Sequence, residues 1–277
     1  MRNLFPKLLR RRFSPGELRC YKLFRNDLIR MELYLIISLI AFMAGFIQGL
    51  SGFGSVLLSL PLLAIFINIK TVIPLVALYG MVLTIILIIQ LWPFIELRKV
   101  LPLLVGAVAG VPLGVFFLKK MDTEIIQFIV GLILILFSLY SLFLKPPDRT
   151  ISERWGPLFG FIGGCLGGAI TATGPPVIVY TSLQPWTKNT IKATLQGFFF
   201  FSGILVVASH AISGVTTWTV IRFFLVSLPL LIVGTYIGSF FYGKVEEEGY
   251  KRIIYSFLVL LGVFMIVKAT GIYPRPT

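Results

Sequence analysis

Ten apolar runs follow one another along this chain with only short polar turns between them. They lie at about residues 33–50, 55–67, 71–91, 100–118, 124–144, 156–172, 175–183, 190–210, 219–241 and 252–270. Most approach the ~20 residues that an upright helix needs to cross a bilayer; the runs at 55–67 and 175–183 are too short. Inside a bilayer there is no water to satisfy a bare backbone, so a crossing segment is a helix or a strand of a closed barrel. Barrel strands alternate in polarity over about 10 residues, whereas these runs are continuous. Composition agrees: 57% of the 277 residues are hydrophobic and 13% charged, against about a quarter charged in soluble domains. The chain cannot cover itself with polar groups, so its outer surface must face lipid. The predicted fold class is all-α: a polytopic helical membrane protein with about 8–10 membrane segments.

The formal net charge is +14. Nine of the 25 basic residues fall in the first 30 positions, and the rest stand singly or in pairs between apolar runs. There they act as interface anchors and meet anionic head groups. No basic face is interleaved with aromatics, so nucleic acid is not an expected partner. Cys20 and Cys165 are far apart and lack metal-site spacing, which supports neither a disulfide framework nor a metal centre. The expected organisation is a basic tail at 1–30, a first transmembrane repeat at 31–145, a polar loop at 146–155 and a second repeat at 156–272. The tail, with Arg10, Arg11 and Arg12, is expected to form a surface arm on the membrane.

The runs repeat. Each half reads as a Gly-rich helix, a break, a short helix and three long helices. The first half carries Gly45-Phe46-Ile47-Gln48-Gly49-Leu50-Ser51-Gly52-Phe53-Gly54-Ser55. The second carries Gly160-Phe161-Ile162-Gly163-Gly164 and then Gly167-Gly168-Ala169-Ile170-Thr171-Ala172-Thr173-Gly174-Pro175-Pro176. Further on, Gly110 and Gly114 match Gly234 and Gly238 at four-residue spacing, which lets helices approach closely. Gly/Pro-interrupted segments in matching places of two halves point to a secondary transporter. If each break is crossed once, the halves are parallel. If the interrupted segment re-enters as a hairpin, or if both of its arms cross, they are inverted. Loop charges do not decide between these arrangements; the inverted one is favoured.

The two breaks are the expected site. A break at membrane depth exposes backbone groups, tolerated only beside protein or a watery cavity. Helices starting near Ser55 and Pro175 should present free N–H groups and a partial positive charge, an anion-binding arrangement. Gly52, Gly54 and Gly174 should allow positive φ and close approach of a ligand. Pro175, followed by Pro176, suits a first helical turn. Ser51, Ser55, Thr171 and Thr173 add hydroxyls. Gln48 adds an amide beside Gly49, and Gln196 is placed to face the site. No carboxylate falls mid-membrane: Glu96, Asp122, Glu124, Asp148, Glu153 and Glu246 to Glu248 lie in loops or at helix ends. A cation ligand or proton carrier would usually be such a carboxylate, so an anionic substrate is favoured. Lys192 and Arg222 read as snorkelling anchors, His210 as an interfacial histidine with the capacity to relay protons, and Phe198 to Phe201 as packing or lipid-facing. No His-Glu-x-x-His pattern or buried carboxylate pair suggests an enzyme, and no cofactor is implied.

At these two motifs the chain resembles the sulfite exporter TauE/SafE family. Gly45-Phe-Ile-Gln-Gly-Leu-Ser-Gly-Phe-Gly54 and Gly163-Gly-Cys-Leu-Gly-Gly-Ala-Ile-Thr-Ala-Thr-Gly-Pro-Pro-Val177 are similar to its paired signatures, and the likeness covers about residues 33–270. The resemblance implies a multi-pass permease of the plasma membrane for sulfite, sulfonate, other organosulfur or carboxylate anions. The first motif departs from the commoner Gly-Ile-Gly-Gly-Gly form in carrying Phe53 and Ser55. An anion channel and a non-transporting accessory membrane protein are the competing readings.

Overall fold

The computed structural model describes residues 15–143, 150–241 and 247–271. Among them the chain forms ten α-helices and no strand. These are α1 (Pro15–Ser51), α2 (Ser55–Phe66), α3 (Ile69–Leu91), α4 (Leu97–Lys120), α5 (Thr123–Phe143), α6 (Gly156–Ile170), α7 (Gly174–Ser182), α8 (Lys188–Ile212), α9 (Trp218–Phe241) and α10 (Glu247–Ala269). Each apolar run corresponds to one helix. Seven stretches are long and apolar enough to cross a membrane: α1 from Met31, α3, α4, α5, α8, α9, and α10 from Arg252. With 12, 15 and 9 residues, α2, α6 and α7 are shorter. The chain is a multi-pass helical membrane protein. Residues 15–30 belong to the same continuous helix as the span from Met31; residues 1–14, with Arg10 to Arg12, and 144–149 of the polar loop lie outside the described residues.

Five prolines, Pro61, Pro74, Pro102, Pro112 and Pro229, sit inside helices. Each would cost about 3 kcal/mol in a free helix. In a membrane bundle, neighbouring helices re-satisfy the freed carbonyls. The apolar faces divide in two. On α4, for example, Val105, Val108 and Phe116 face outward, while Gly106, Ala107, Gly110, Val111 and Gly114 are buried. A helix apolar on both faces is stable when one packs on protein and the other on lipid.

Glycine makes the closest packing, because a missing Cβ lets backbones touch. A Cβ on Gly106, Gly110 or Gly114 would run into backbone of Pro157, Phe161 or Cys165 on α6. Gly45 and Gly49 press in the same way on Leu231, Thr235 and Ser239 of α9, and Gly234 and Gly238 on Phe42 and Phe46 of α1. In both pairs the numbers rise together, so α4 runs parallel to α6 and α1 parallel to α9. Between α5 and α10 they run oppositely. Gly131 meets Gly262 and Ile266, while the Phe137 ring is 6.0 Å from that of Tyr255, so these two helices are antiparallel.

At the second break the chain turns back on itself. Gly167 packs on Thr173, Gly163 on Val177, the ring of Phe159 lies 5.5 Å from Tyr180, and the Gln184 amide reaches the carbonyl of Ile151 at 3.2 Å. The contacts spread symmetrically in sequence from the break, so α6 and α7 form a hairpin whose two ends lie together. α8 then runs beside α6 in the same direction, with Phe198 near Gly163 and Val206 near Gly167.

Candidate functional site

Both chain breaks open onto one cavity of about 640 Å³, its open mouth included. Gln48, Phe53, Gly54 and Ser55 come from the first break, and Thr171, Ala172, Thr173, Gly174 and Pro175 from the second. The walls are α3, through Ala77, Gly80, Met81 and Thr84, and α8, through Phe199, Gly203 and Val206. Among the described residues, no charged side chain lines it.

The first break begins where α1 ends at Ser51. Gly52 (φ 81°) and Gly54 (φ 97°) are left-handed, a conformation that costs other residues about 1–2 kcal/mol. Gln48 clamps the turn: its Oε1 accepts the Ser55 N–H at 3.3 Å and its Nε2 donates to the Gly52 carbonyl at 3.5 Å. From α8 the Gln196 Nε2 donates to that same carbonyl. The Ser51 hydroxyl donates back to Ile47 O at 2.7 Å. With the Ser55 amide occupied, Val56 and Leu57, both lining the cavity, carry the N–H groups left over at the α2 N-terminus.

The second break is built differently. Thr171, not Gly174, takes the left-handed conformation (φ 60°), and Gly174 has an ordinary negative φ. The Thr171 N–H closes α6 onto Gly167 O at 2.8 Å, and its hydroxyl donates to Ile73 O of α3 at 3.0 Å. The energy of a strained threonine is offset by a buried hydrogen bond that joins the hairpin to α3. Few of the free amides expected here remain. Pro175 and Pro176 occupy two of the first three positions of α7 and have no N–H, so Gly174 supplies the one amide of that turn. Polarity at this end comes from the hydroxyls of Thr171 and Thr173.

Of the residues expected at the site, Gln48, Gly54, Ser55, Thr171, Thr173, Gly174 and Pro175 line the cavity. Gly49 instead packs against α9, Ser51 faces α10, and Gly52 and Gln196 lie behind the first break and hold its shape. Pro176 is not among the lining residues. Lys192 lies beside the first break. Its stem lies over Gly52, where a Cβ would come within 2.6 Å of Cε. His210, near the end of α8, is fully buried within the protein. Phe199, expected to pack or to face lipid, lines the cavity. Sequence reading also missed Gly80, Gly203 and Thr84. Their only signal was an isolated small or hydroxyl residue in a long apolar helix, which marks a contact without saying to what.

A helical membrane bundle in which two chain breaks meet at one cavity belongs to the class of membrane transporters. The comparison with known proteins makes this specific: the chain belongs to the sulfite exporter TauE/SafE family, whose family model matches residues 37–265. It is similar to the probable sulfite/organosulfonate exporter TauE of Cupriavidus necator, at 24% identity over 180 residues, covering 63% of this chain and 70% of that relative. No solved structure matches it.

Proposed function

We propose that this protein moves a small sulfur-containing anion, sulfite or an organic sulfonate, across the plasma membrane by alternating access, outward in the sense that the Cupriavidus relative's name gives. The observation that carries this reading is the meeting of both chain breaks at one cavity. An anion there would be held by the Val56 and Leu57 amides, the Gln48 amide and the hydroxyls of Ser55 and Thr173. Apolar walls from Phe53, Met81, Ile178 and Phe199 suit a substrate with a carbon portion. Ready release of substrate is favoured because no lysine or arginine among the described residues lines the cavity.

We read the two halves as inverted repeats. The first helix of each half packs in parallel on the fourth helix of the other, while the fifth helices run antiparallel. Antiparallel counterparts are what an axis in the membrane plane generates, and rocking of such halves exposes one site to the two sides in turn.

The test is flux of labelled sulfite and of labelled sulfonates into liposomes holding the pure protein. Saturable uptake accelerated by unlabelled anion on the far side is expected. Flux without saturation or exchange would identify a channel, and none for any anion would leave an accessory protein.

A further inference from the structure

We propose that His210 is a proton-binding site that couples proton movement to transport, with the α6–α7 hairpin as the moving part. This rests on the transporter reading above. His210 is the sole histidine of the chain and has no exposed surface. Its Nε2 lies 2.9 Å from the carbonyl of Gly168 on α6, three residues before the left-handed Thr171. A carbonyl only accepts, so Nε2 carries the hydrogen and Nδ1 is left as a bare acceptor. Nδ1 is buried and has no hydrogen-bond partner among the described residues.

An orphaned buried acceptor is a standing cost that folded proteins avoid unless something uses it. Here it stands at a joint. One turn before His210, Val206 lines the cavity, and Gly168 leads into the second break. The helices that pack on α8 offer Nδ1 no alternative bond. Their titratable and charged groups are Cys165 on α6, Tyr180 on α7, Lys70 and Tyr79 on α3, and Arg98, Lys99, Lys119 and Lys120 on α4. Tyr79 is bonded to Ser227, Tyr180 to Glu153 O and Lys99 to Glu96, and none of the group bonds the ring.

The chemistry follows from the geometry. A second proton on the ring would sit on a buried Nδ1 with no protein acceptor, a charge without compensation. In a state where the hairpin has moved off α8, the ring meets the cavity water and can take that proton. A ligand shifts a conformational equilibrium only through different affinities for its two states, and the proton has that difference at His210. Proton uptake and release therefore accompany the change of state that carries the anion.

His210→Gln tests this, because its amide can keep the bond to Gly168 O while removing the proton site. In liposomes, uptake of a sulfonate, which itself binds no proton near neutral pH, is measured with and without an imposed pH gradient. The wild type is expected to respond to the gradient and to move protons with the anion. His210→Gln should keep exchange of labelled for unlabelled sulfonate but lose about tenfold of the gradient response. A variant that responds like the wild type, or a wild type that exchanges sulfonate yet ignores the gradient, overturns the assignment. A wild type that carries no anion defeats the transport reading and this inference with it. If the variant does not fold, the single imidazole is followed in 15N-histidine-labelled wild-type protein without a histidine tag. Its titration should move when sulfonate is added; an unchanged titration overturns the proposal.

Discussion

Gln196 on α8 donates its amide to the carbonyl of Gly52, 144 residues earlier in the chain. That carbonyl has lost its helical partner at the first break, and Gln48 reaches it only at 3.5 Å. The break is thus held open in a defined shape by a helix of the other half.

Gln196→Leu should therefore cost about 1–3 kcal/mol, the penalty for stranding a buried acceptor. Thermal melting in detergent measures it. Exchange flux should fall more than the loss of folded protein explains, because the Gly52–Gly54 turn loses its outer support. An unchanged melting temperature would mean that the carbonyl has found another donor.

Gly52→Ala meets two obstacles, the positive φ of 81° and the Lys192 stem. Gly54→Ala meets only its φ of 97°, since the nearest atom to a new Cβ is 3.7 Å away. The first should be the more damaging to stability and flux. Lys192→Ala should restore part of what Gly52→Ala loses, with a coupling of about 0.5–3 kcal/mol in a double-mutant cycle. Strict additivity would show that the two side chains do not compete for that space.

Thr171→Val keeps the shape of the second break but removes the hydroxyl on Ile73 O. The expected loss is about 1–3 kcal/mol in thermal stability, with weaker anion exchange. Gly174→Ala makes a useful contrast. A Cβ there would have ordinary contacts of 3.5 Å with Ile178 and 3.7 Å with Phe199, so the fold should tolerate it.

Two glycines of similar sequence setting should behave oppositely. A Cβ on Gly80 meets nothing within 4 Å, because it enters the cavity. Gly80→Leu should leave melting unchanged while lowering flux of a bulky sulfonate about tenfold relative to sulfite. A Cβ on Gly110 collides with the Phe161 carbonyl. Gly110→Ile should cost about 3 kcal/mol or more and reduce the yield of folded protein, as size-exclusion profiles would reveal.

The sequence by itself determined the solvent, the class of fold and the positions of the ten helices. Apolar runs at membrane length leave a backbone no other way to satisfy its hydrogen bonds. It also located both interruptions, because Gly52, Gly54 and Pro175 are local signals that act through their own φ and missing groups. It could not decide which residue at the second break turns left-handed. Thr171 does so because a bond to Ile73 supports it, and that partner is 98 residues away. Nor could it show that Lys192 lies over Gly52, that Gly80 and Gly203 shape a cavity while Gly110 joins two helices, or that His210 is sealed against α6. In lipid every helix is apolar on all sides, so periodicity no longer separates the protein-facing side from the lipid-facing one. That distinction arises only when the helices are packed together.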